Sequence, residues 1–335
     1  MRTPAISKER FLQLIRSFVG CRIIVYGDLL ADEFVFGEIS RVSREAPVLI
    51  LRHRESQILP GGAANAVNNL QSLGAVPLPI GVLGRDNAGR DLWQQFKIKK
   101  IRLSFIRRLS HYQTPTKTRF LAGSVHSARQ QVLRLDRESR FRHTPETQDA
   151  WWKQIQSLLK QCRGMIISDY GYGCVNQELV TRISTSRNSL PVTLDSRHGL
   201  LLYSGLTSST PNEPEVEEAL GINIGNDLAK LEWAGKTLLK RQRLRALLIT
   251  RGRHGMVLFT PREAPMHIPI YGSDEIADVT GAGDTVIAVF TLALAVGATF
   301  LEAARLSNYA GGIVVMKRGT ATLTAAELKE AVLSG

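Results

Sequence analysis

Asp278-Val279-Thr280-Gly281-Ala282-Gly283-Asp284-Thr285 leads without a break into the apolar stretch 286–301. Two glycines around an alanine let successive backbone N–H groups converge where a helix begins. A helix start carries unsatisfied donors and partial positive charge, so it suits an anion such as a phosphoryl group in transfer. Asp284 falls in the first turn, where its carboxylate can take a proton from an attacking hydroxyl. The amides of Gly281, Ala282 and Gly283 would meanwhile hold the developing charge. The same spacing also fits a plainer reading, in which Asp284 caps the helix and the glycines only make a turn. The apolar stretch is shorter than the roughly 20 residues of a membrane span and contains Thr291 and Thr299, which predicts a buried helix.

Around this segment, short β-rich runs at 22–26, 76–82, 164–168, 191–194, 246–250 and 256–260 alternate with helical stretches. The helical stretches are 61–73, 146–161, 177–186, 226–239, 281–297 and 301–316. Such alternation predicts an α/β fold with a mostly parallel sheet flanked by helices. Segments 33–51 and 116–136 break the pattern, each reading as paired strands with no helix between them. They predict a small antiparallel sheet standing off the main one as a lid. No internal repeat or long linker appears, so residues 1–335 read as one domain with this excursion.

Lys and Arg number 43 against 30 Asp and Glu, a net charge of +13, which favours anionic partners. Cys21, Cys162 and Cys174 do not make a disulfide framework, and the seven histidines show no metal-ligand spacing. Residues 1–20 read as an amphipathic helix without the continuous apolar core of a signal peptide. These features predict a soluble, cytoplasmic protein with no membrane partner. The run Lys97, Lys99, Lys100, Arg102, Arg107 and Arg108 admits a nucleic-acid-binding reading. Phe105 is its one aromatic and no binding motif accompanies it, so an ordinary solvated basic face is the simpler expectation, with no nucleic acid bound.

The 278–285 segment resembles the signature of the ribokinase-type (pfkB) carbohydrate kinases, whose GAGD helix start carries the catalytic base. Four further segments resemble that family's motifs in the expected order. They are Gly27-Asp28-Leu29-Leu30-Ala31-Asp32, Pro60-Gly61-Gly62-Ala63-Ala64-Asn65, Pro211-Asn212-Glu213-Pro214-Glu215, and Thr250-Arg251-Gly252 followed by Gly255. The resemblance covers residues 22–320. The resemblance implies a ribokinase-like, doubly wound sheet with a β lid, a sugar acceptor, and ATP and Mg²⁺ as cofactors.

Residue by residue, it implies Asp284 as base with the Gly281–Gly283 amides as anion hole. Asp28, Asp32, Gly61, Gly62 and Asn65 would contact the sugar. Asn212 and Glu215 would serve the nucleotide phosphates, with Glu215 reaching Mg²⁺ through water. Thr250, Gly252 and Gly255 would form the nucleotide loop, and Asn308 would flank the adenine. Asp278 falls at the family position near a monovalent cation, K⁺. Bland readings stand beside these: Asp28 as a strand-end cap, Asn65 as a buried structural amide, Glu215 as a solvated helix-start acid, Asn308 as a surface residue.

Within the family, residues 27–47, Thr116-Lys117-Thr118-Arg119, 130–136 and Ser168-Asp169-Tyr170-Gly171 resemble the branch that acts on heptose 7-phosphates in lipopolysaccharide-core synthesis. That branch implies D-glycero-β-D-manno-heptose 7-phosphate as acceptor, phosphorylated at the 1-hydroxyl to the 1,7-bisphosphate. Asp169 and the lid cations Lys117, Arg119 and Arg134 would join the substrate site. The lid cations equally read as charges that discourage edge pairing. Two positions depart from the branch: Tyr172 stands where Lys is usual, and Ser196-Arg197 where Pro-Lys is usual. The chain ends at Gly335 without an HxGH-type segment, so a stand-alone kinase is expected, with nucleotidyl transfer left to another protein. Lid pairing in the family implies a homodimer. Ribose, fructose and fructose phosphate remain open as acceptors, because they would use the same catalytic residues.

Overall fold

The computed structural model describes residues 6–123, 130–186, 189–272, 278–317 and 319–334. The helix α1 (Lys8–Arg16) leads into β1 (Arg22–Gly27) and a long hairpin, β2 (Leu29–Val42) and β3 (Leu49–Gly62). Next come α2 (Ala63–Ser72), β4 (Val76–Gly84), α3 (Asn87–Ile98), β5 (Ile106–Leu109) and a second hairpin, β6 (Thr116–Gly123) and β7 (Gln130–Arg137). Then follow α4 (Pro145–Leu159), β8 (Gly164–Asp169), α5 (Gln177–Thr185), β9 (Val192–Ser196), β10 (Ser208–Ser209), α6 (Glu213–Leu220) and α7 (Leu228–Arg241). The last elements are β11 (Ala246–Thr250), β12 (Met256–Phe259), β13 (Met266–Ile268), α8 (Ala282–Ala295), α9 (Phe300–Val315) and α10 (Ala325–Ser334).

The main sheet runs β13-β12-β11-β10-β9-β8-β1-β4-β5, parallel except where β12 pairs antiparallel with both its neighbours. Ile23, Ile24, Val25 and Tyr26 of β1 are all fully buried, as expected of a central strand covered on both faces. One core lies under α1, α2, α3, α8, α9 and α10, with Phe11, Leu92 and Phe290 among its members. The other lies under α4, α5 and α7, around Trp151 and Leu231. The helix α8 is buried nearly all round, as its apolar sequence predicts, and packs on α9 and α2. Midway along it, the buried Thr291 hydroxyl is satisfied, meeting that of Thr193 at 2.6 Å. Among the described residues, no helix is long and apolar enough to cross a membrane.

A second sheet, β3-β2-β6-β7, is the lid. It departs from expectation in two ways. Each hairpin is antiparallel, but β2 and β6 join in parallel, with Asp32 opposite Lys117. The chain travels through α2, β4, α3 and β5 before β6, and such a long crossover permits a parallel return. The lid is also longer than segment 33–51: β2 starts at Leu29 and β3 runs to Gly62, so the lid is rooted beside the end of β1. Residues 124–129 of the predicted 116–136 segment lie outside the described residues. Val42, Val48, Leu49, Leu133 and Leu135 are exposed on the lid.

Four cations of the basic run make local contacts. Lys99 donates to Asn68, and the guanidinium groups of Arg102, Arg107 and Arg108 lie over Phe105, Trp151 and Trp93 at 5.0, 6.0 and 5.0 Å. Cation–π contact and local hydrogen bonding engage these four, while Lys97 and Lys100 are exposed.

Candidate active site

Parallel strands of an α/β sheet present their carboxyl ends to ligands. Here those ends carry Asp28 after β1, Tyr170 after β8, Asp195 in β9, Asn212 after β10 and Thr250 in β11. The start of α8 closes over them. Gly281 begins that helix at φ +76°, and a Cβ there would fall 2.5 Å from Asn65 Nδ2, so only glycine fits.

Asp284 is 3% exposed. Its Oδ2 accepts from Asn65 Nδ2 at 3.0 Å and its Oδ1 from the Tyr170 hydroxyl at 2.8 Å. Burial, reinforced by the charge of Asp195, pushes its carboxyl up to about 8, against the two donated hydrogen bonds. A carboxylate poised there exchanges protons readily near neutral pH.

Asn65, expected to contact sugar hydroxyls, turns its amide to the protein instead. Its Nδ2 also donates to Gly281 O at 3.2 Å, and its Oδ1 accepts from Asn69 Nδ2 at 3.1 Å. Asp28 is likewise corrected. Its Oδ2 accepts from the Tyr170 and Tyr172 amides and its Oδ1 from the Cys174 amide, at 2.8, 3.1 and 3.0 Å. It is 1% exposed and holds the loop after β8, the cap-like role, rather than a sugar. Burial, with help from Asp169, pushes its carboxyl up to about 6 against those three donors. Asp169 is the third correction. It accepts from the Gly171 amide, the Ser196 hydroxyl and the Tyr203 hydroxyl at 3.0, 3.0 and 2.7 Å, so it braces the same loop from beneath.

The remaining residues line one continuous cleft in three stretches. An apolar end is formed by Gly252, Gly255, Met256, Val286, Asn308 and Gly311, with Asn308 fixed by donating to Pro269 O at 2.8 Å. Asn212, Thr250, Val279 and Gly283 border both this end and the middle. The middle holds Asp32, Gly62, Asp195, Glu215, Gly281 and Asp284. The far end holds Lys117, Arg134, Tyr170 and Arg197, which border both the middle and the outer mouth. Gly61 lies behind Asp32, opposite Leu30 in the lid hairpin. Gly62, at φ +55°, turns β3 into α2. Ala282 lines the apolar side of the helix start.

Charge is divided along this cleft. Arg119 pairs with Asp32 at 2.5 Å with its guanidinium over Phe34, and Arg134 makes two bonds to Asp136 at 2.8 and 2.5 Å. Lys117 is 7% exposed, with its ammonium 5.8 Å above the Tyr170 ring. Burial lowers its pKa, and the nearby Arg197 and Arg134 add to that effect. In the middle, burial and mutual repulsion hold the Asp195 carboxyl above its ordinary range, and burial does the same for Glu215. Glu215 also closes a capping box with Asn212, accepting from its amide N–H at 2.9 Å. Two mutually repelling carboxylates on one wall suit a cation. Among the described residues no three metal-ligating side chains converge, so a hydrated Mg²⁺ that keeps its waters fits better than a direct cage. Asp278 accepts from the Thr280 and Gly319 amides at 2.9 and 3.0 Å, tying together two loops beside the helix start.

Tyr170, Asp195 and Arg197 were not among the predicted site residues. Each stands at the carboxyl end of a predicted parallel strand, which was the available signal.

The profile described as pfkB family carbohydrate kinase matches residues 23–326. A bifunctional protein HldE of Desulfatibacillum aliphaticivorans is 39% identical over 319 residues, which is 93% of this chain and 63% of the relative. A bifunctional protein HldE of Coxiella burnetii (strain RSA 493 / Nine Mile phase I) is 38% identical over 312 residues, 93% of this chain and 63% of the relative. The chain thus spans 63% of the length of these curated relatives. Among solved structures, Arabidopsis thaliana ribokinase complexed with ribose and ATP superposes with a TM-score of 0.71 at 18% identity, covering 94% of this chain and 98% of that one. Escherichia coli phosphofructokinase-2 in complex with fructose-6-phosphate gives 0.69 at 14% identity, covering 94% and 99%. These likenesses establish a ribokinase-like α/β fold.

Proposed function

The chain belongs to the pfkB family of carbohydrate kinases, which makes it an ATP-dependent sugar kinase, and we propose that its acceptor is D-glycero-β-D-manno-heptose 7-phosphate. The observation that carries this reading is the far end of the cleft, where Lys117 and Arg197 stand beyond the transfer centre beside Arg134, which Asp136 already pairs, with Glu138 also at the outer mouth. A neutral sugar has no use for the Lys117 and Arg197 cations there, whereas a sugar phosphate entering with its reacting hydroxyl first leaves its own phosphate beside them. The heptose follows from the resemblance of 27–47, 116–119, 130–136 and 168–171 to the heptose branch.

In this reading Asp284 takes the proton of the anomeric 1-hydroxyl, and the Gly281–Gly283 amides receive the transferring phosphoryl group. Asn65 and Tyr170 keep the base in place. Asp32, steadied by Arg119, accepts from a sugar hydroxyl, and Gly61 and Gly62 let the backbone approach the ring. ATP lies with its base at the apolar end, flanked by Asn308 and by the loop of Thr250, Gly252 and Gly255. Asp195 and Glu215 would hold Mg²⁺ through its water shell, with Asn212 fixing Glu215. When bound, the ion supplies charge neutralisation between the phosphates. Asp278 shapes the loops around a K⁺ site. The chain works as one cytoplasmic kinase domain, and a homodimer forms through the exposed apolar residues of the lid.

Release of ADP from Mg-ATP against D-glycero-D-manno-heptose 7-phosphate, ribose, fructose, fructose 6-phosphate and no sugar tests the proposal. Turnover with the heptose phosphate far above the rest supports it. Preferential turnover of a neutral sugar would discard the acceptor while leaving the family intact.

A further inference from the structure

Tyr170 stands between two parts of the cleft that have different jobs. Its hydroxyl donates to Asp284 Oδ1 at 2.8 Å, while the face of its ring lies under the Lys117 ammonium at 5.8 Å. The ring borders both the middle of the cleft and its cationic far end. Its backbone is fixed with unusual thoroughness: its amide donates to Asp28, as do those of Tyr172 and Cys174, and the intervening Gly171 donates to Asp169. Gly62 leaves room for the ring, since a Cβ there would fall 3.0 Å from Tyr170 Cε2. Two buried carboxylates and a glycine thus serve to place one tyrosine.

We propose that Tyr170 is a positioning residue for the phosphoryl transfer, its hydroxyl fixing the plane of the Asp284 carboxylate and its ring supporting the cation that meets the acceptor's far end. The proposal rests on the reading of Asp284 as the base. The terminal torsion of an aspartate is soft, and a buried carboxylate held at one oxygen by Asn65 alone could swing its other oxygen away from the acceptor. Tyr170 closes that freedom. Burial and the neighbouring Asp284 hold its phenol well above its ordinary range, so it stays a donor across the working pH. A donor to the carboxylate favours the ionised form. Asp195 from β9 and Asp32 from β2 face Asp284 with like charge. Glu215 on α6 and the cations Lys117, Arg119, Arg134 and Arg197 share its compartment, and they are present in wild type and variant alike.

Two variants separate the roles, each assayed in the full chain with whichever acceptor supports ADP release. Tyr170→Phe keeps the ring and loses the hydroxyl. It should lower kcat about tenfold, leave both KM values unchanged and move the acid limb of the kcat profile up by about one pH unit. Tyr170→Leu should add a rise in the acceptor KM, because the surface under Lys117 is lost. Wild-type kcat and an unmoved acid limb in Tyr170→Phe would overturn the proposal. So would a fall in kcat matched only by a smaller folded fraction in thermal melts. An error in the acceptor assignment leaves the Tyr170→Phe arm untouched and shows as an unchanged acceptor KM in Tyr170→Leu. An error in the base assignment shows separately, as activity retained by Asp284→Asn.

Discussion

Asn65 and Asp284 meet at 3.0 Å across 219 positions of the chain. The contact joins the start of α2, where the lid hairpin ends, to the start of α8, where the anion-binding amides sit. It makes the orientation of the carboxylate a property of the whole fold rather than of one helix turn. Replacing Asp284 with Asn keeps size and hydrogen-bonding capacity while removing the base. Turnover should fall by about 10²–10⁴-fold, the range for loss of a general base, with ATP binding retained. Steady-state kinetics and calorimetric titration with nucleotide check both halves.

The same substitution has a pH signature in stability. The Asp284 carboxyl is raised to about 8 in the folded protein, far above an unfolded aspartate near 3.8. The folded state therefore holds a proton that the unfolded state has lost, and this contribution is full below about pH 4 and disappears as pH rises through 8. The Tm of Asp284→Asn minus that of wild type should grow between pH 6 and 9, by on the order of several degrees. Asp28, raised to about 6, acts in both proteins and cancels in the difference. Melts in metal-free buffer give the comparison, and a difference that shrinks with pH would count against the burial argument.

How much of this could be read from the sequence follows a physical line. The 278–285 segment exposed the helix start and its carboxylate because backbone geometry and chemistry there are both local. Asp28 and Asp32 could not be told apart, since both are acids near the end of β1. Only the fold shows that Asp28 turns toward three amides after β8 while Asp32 faces Arg119 in the cleft. The partners of the Asn65 amide are not legible in the sequence, because its contacts with Gly281 and Asp284 depend on how α2 meets α8. The parallel pairing of β2 with β6 left no trace in either hairpin, as each alternates in the same way whichever neighbour it takes. Asp195 and Arg197 were legible in principle, since both stand where a predicted parallel strand ends.

Glu215 should report the metal. Its carboxylate closes the capping box on Asn212 and shares a wall with Asp195, so Glu215→Gln removes charge where a hydrated Mg²⁺ would be held. Turnover at low Mg²⁺ should fall about 10–100-fold and recover in part as Mg²⁺ is raised. An unchanged Mg²⁺ titration would place the ion elsewhere.

Arg197 should report the acceptor's charge. It lines the far end of the cleft with Lys117 and Arg134, and its charge also reaches Asp195 and Glu215. Arg197→Ala should raise the KM for a phosphorylated acceptor about tenfold, and by more than it raises the KM for a neutral one. Equal effects on phosphorylated and neutral acceptors would remove the charge argument.

Phosphorus NMR of the wild-type reaction, followed in time with Mg-ATP and D-glycero-β-D-manno-heptose 7-phosphate, is the most direct test of the central claim. The account predicts that the γ-phosphate signal of ATP decays as a second sugar-phosphate resonance appears, coupled to the anomeric proton, while the 7-phosphate persists. Decay of the γ signal into inorganic phosphate alone, or a new phosphate coupled to a different sugar proton, would contradict it.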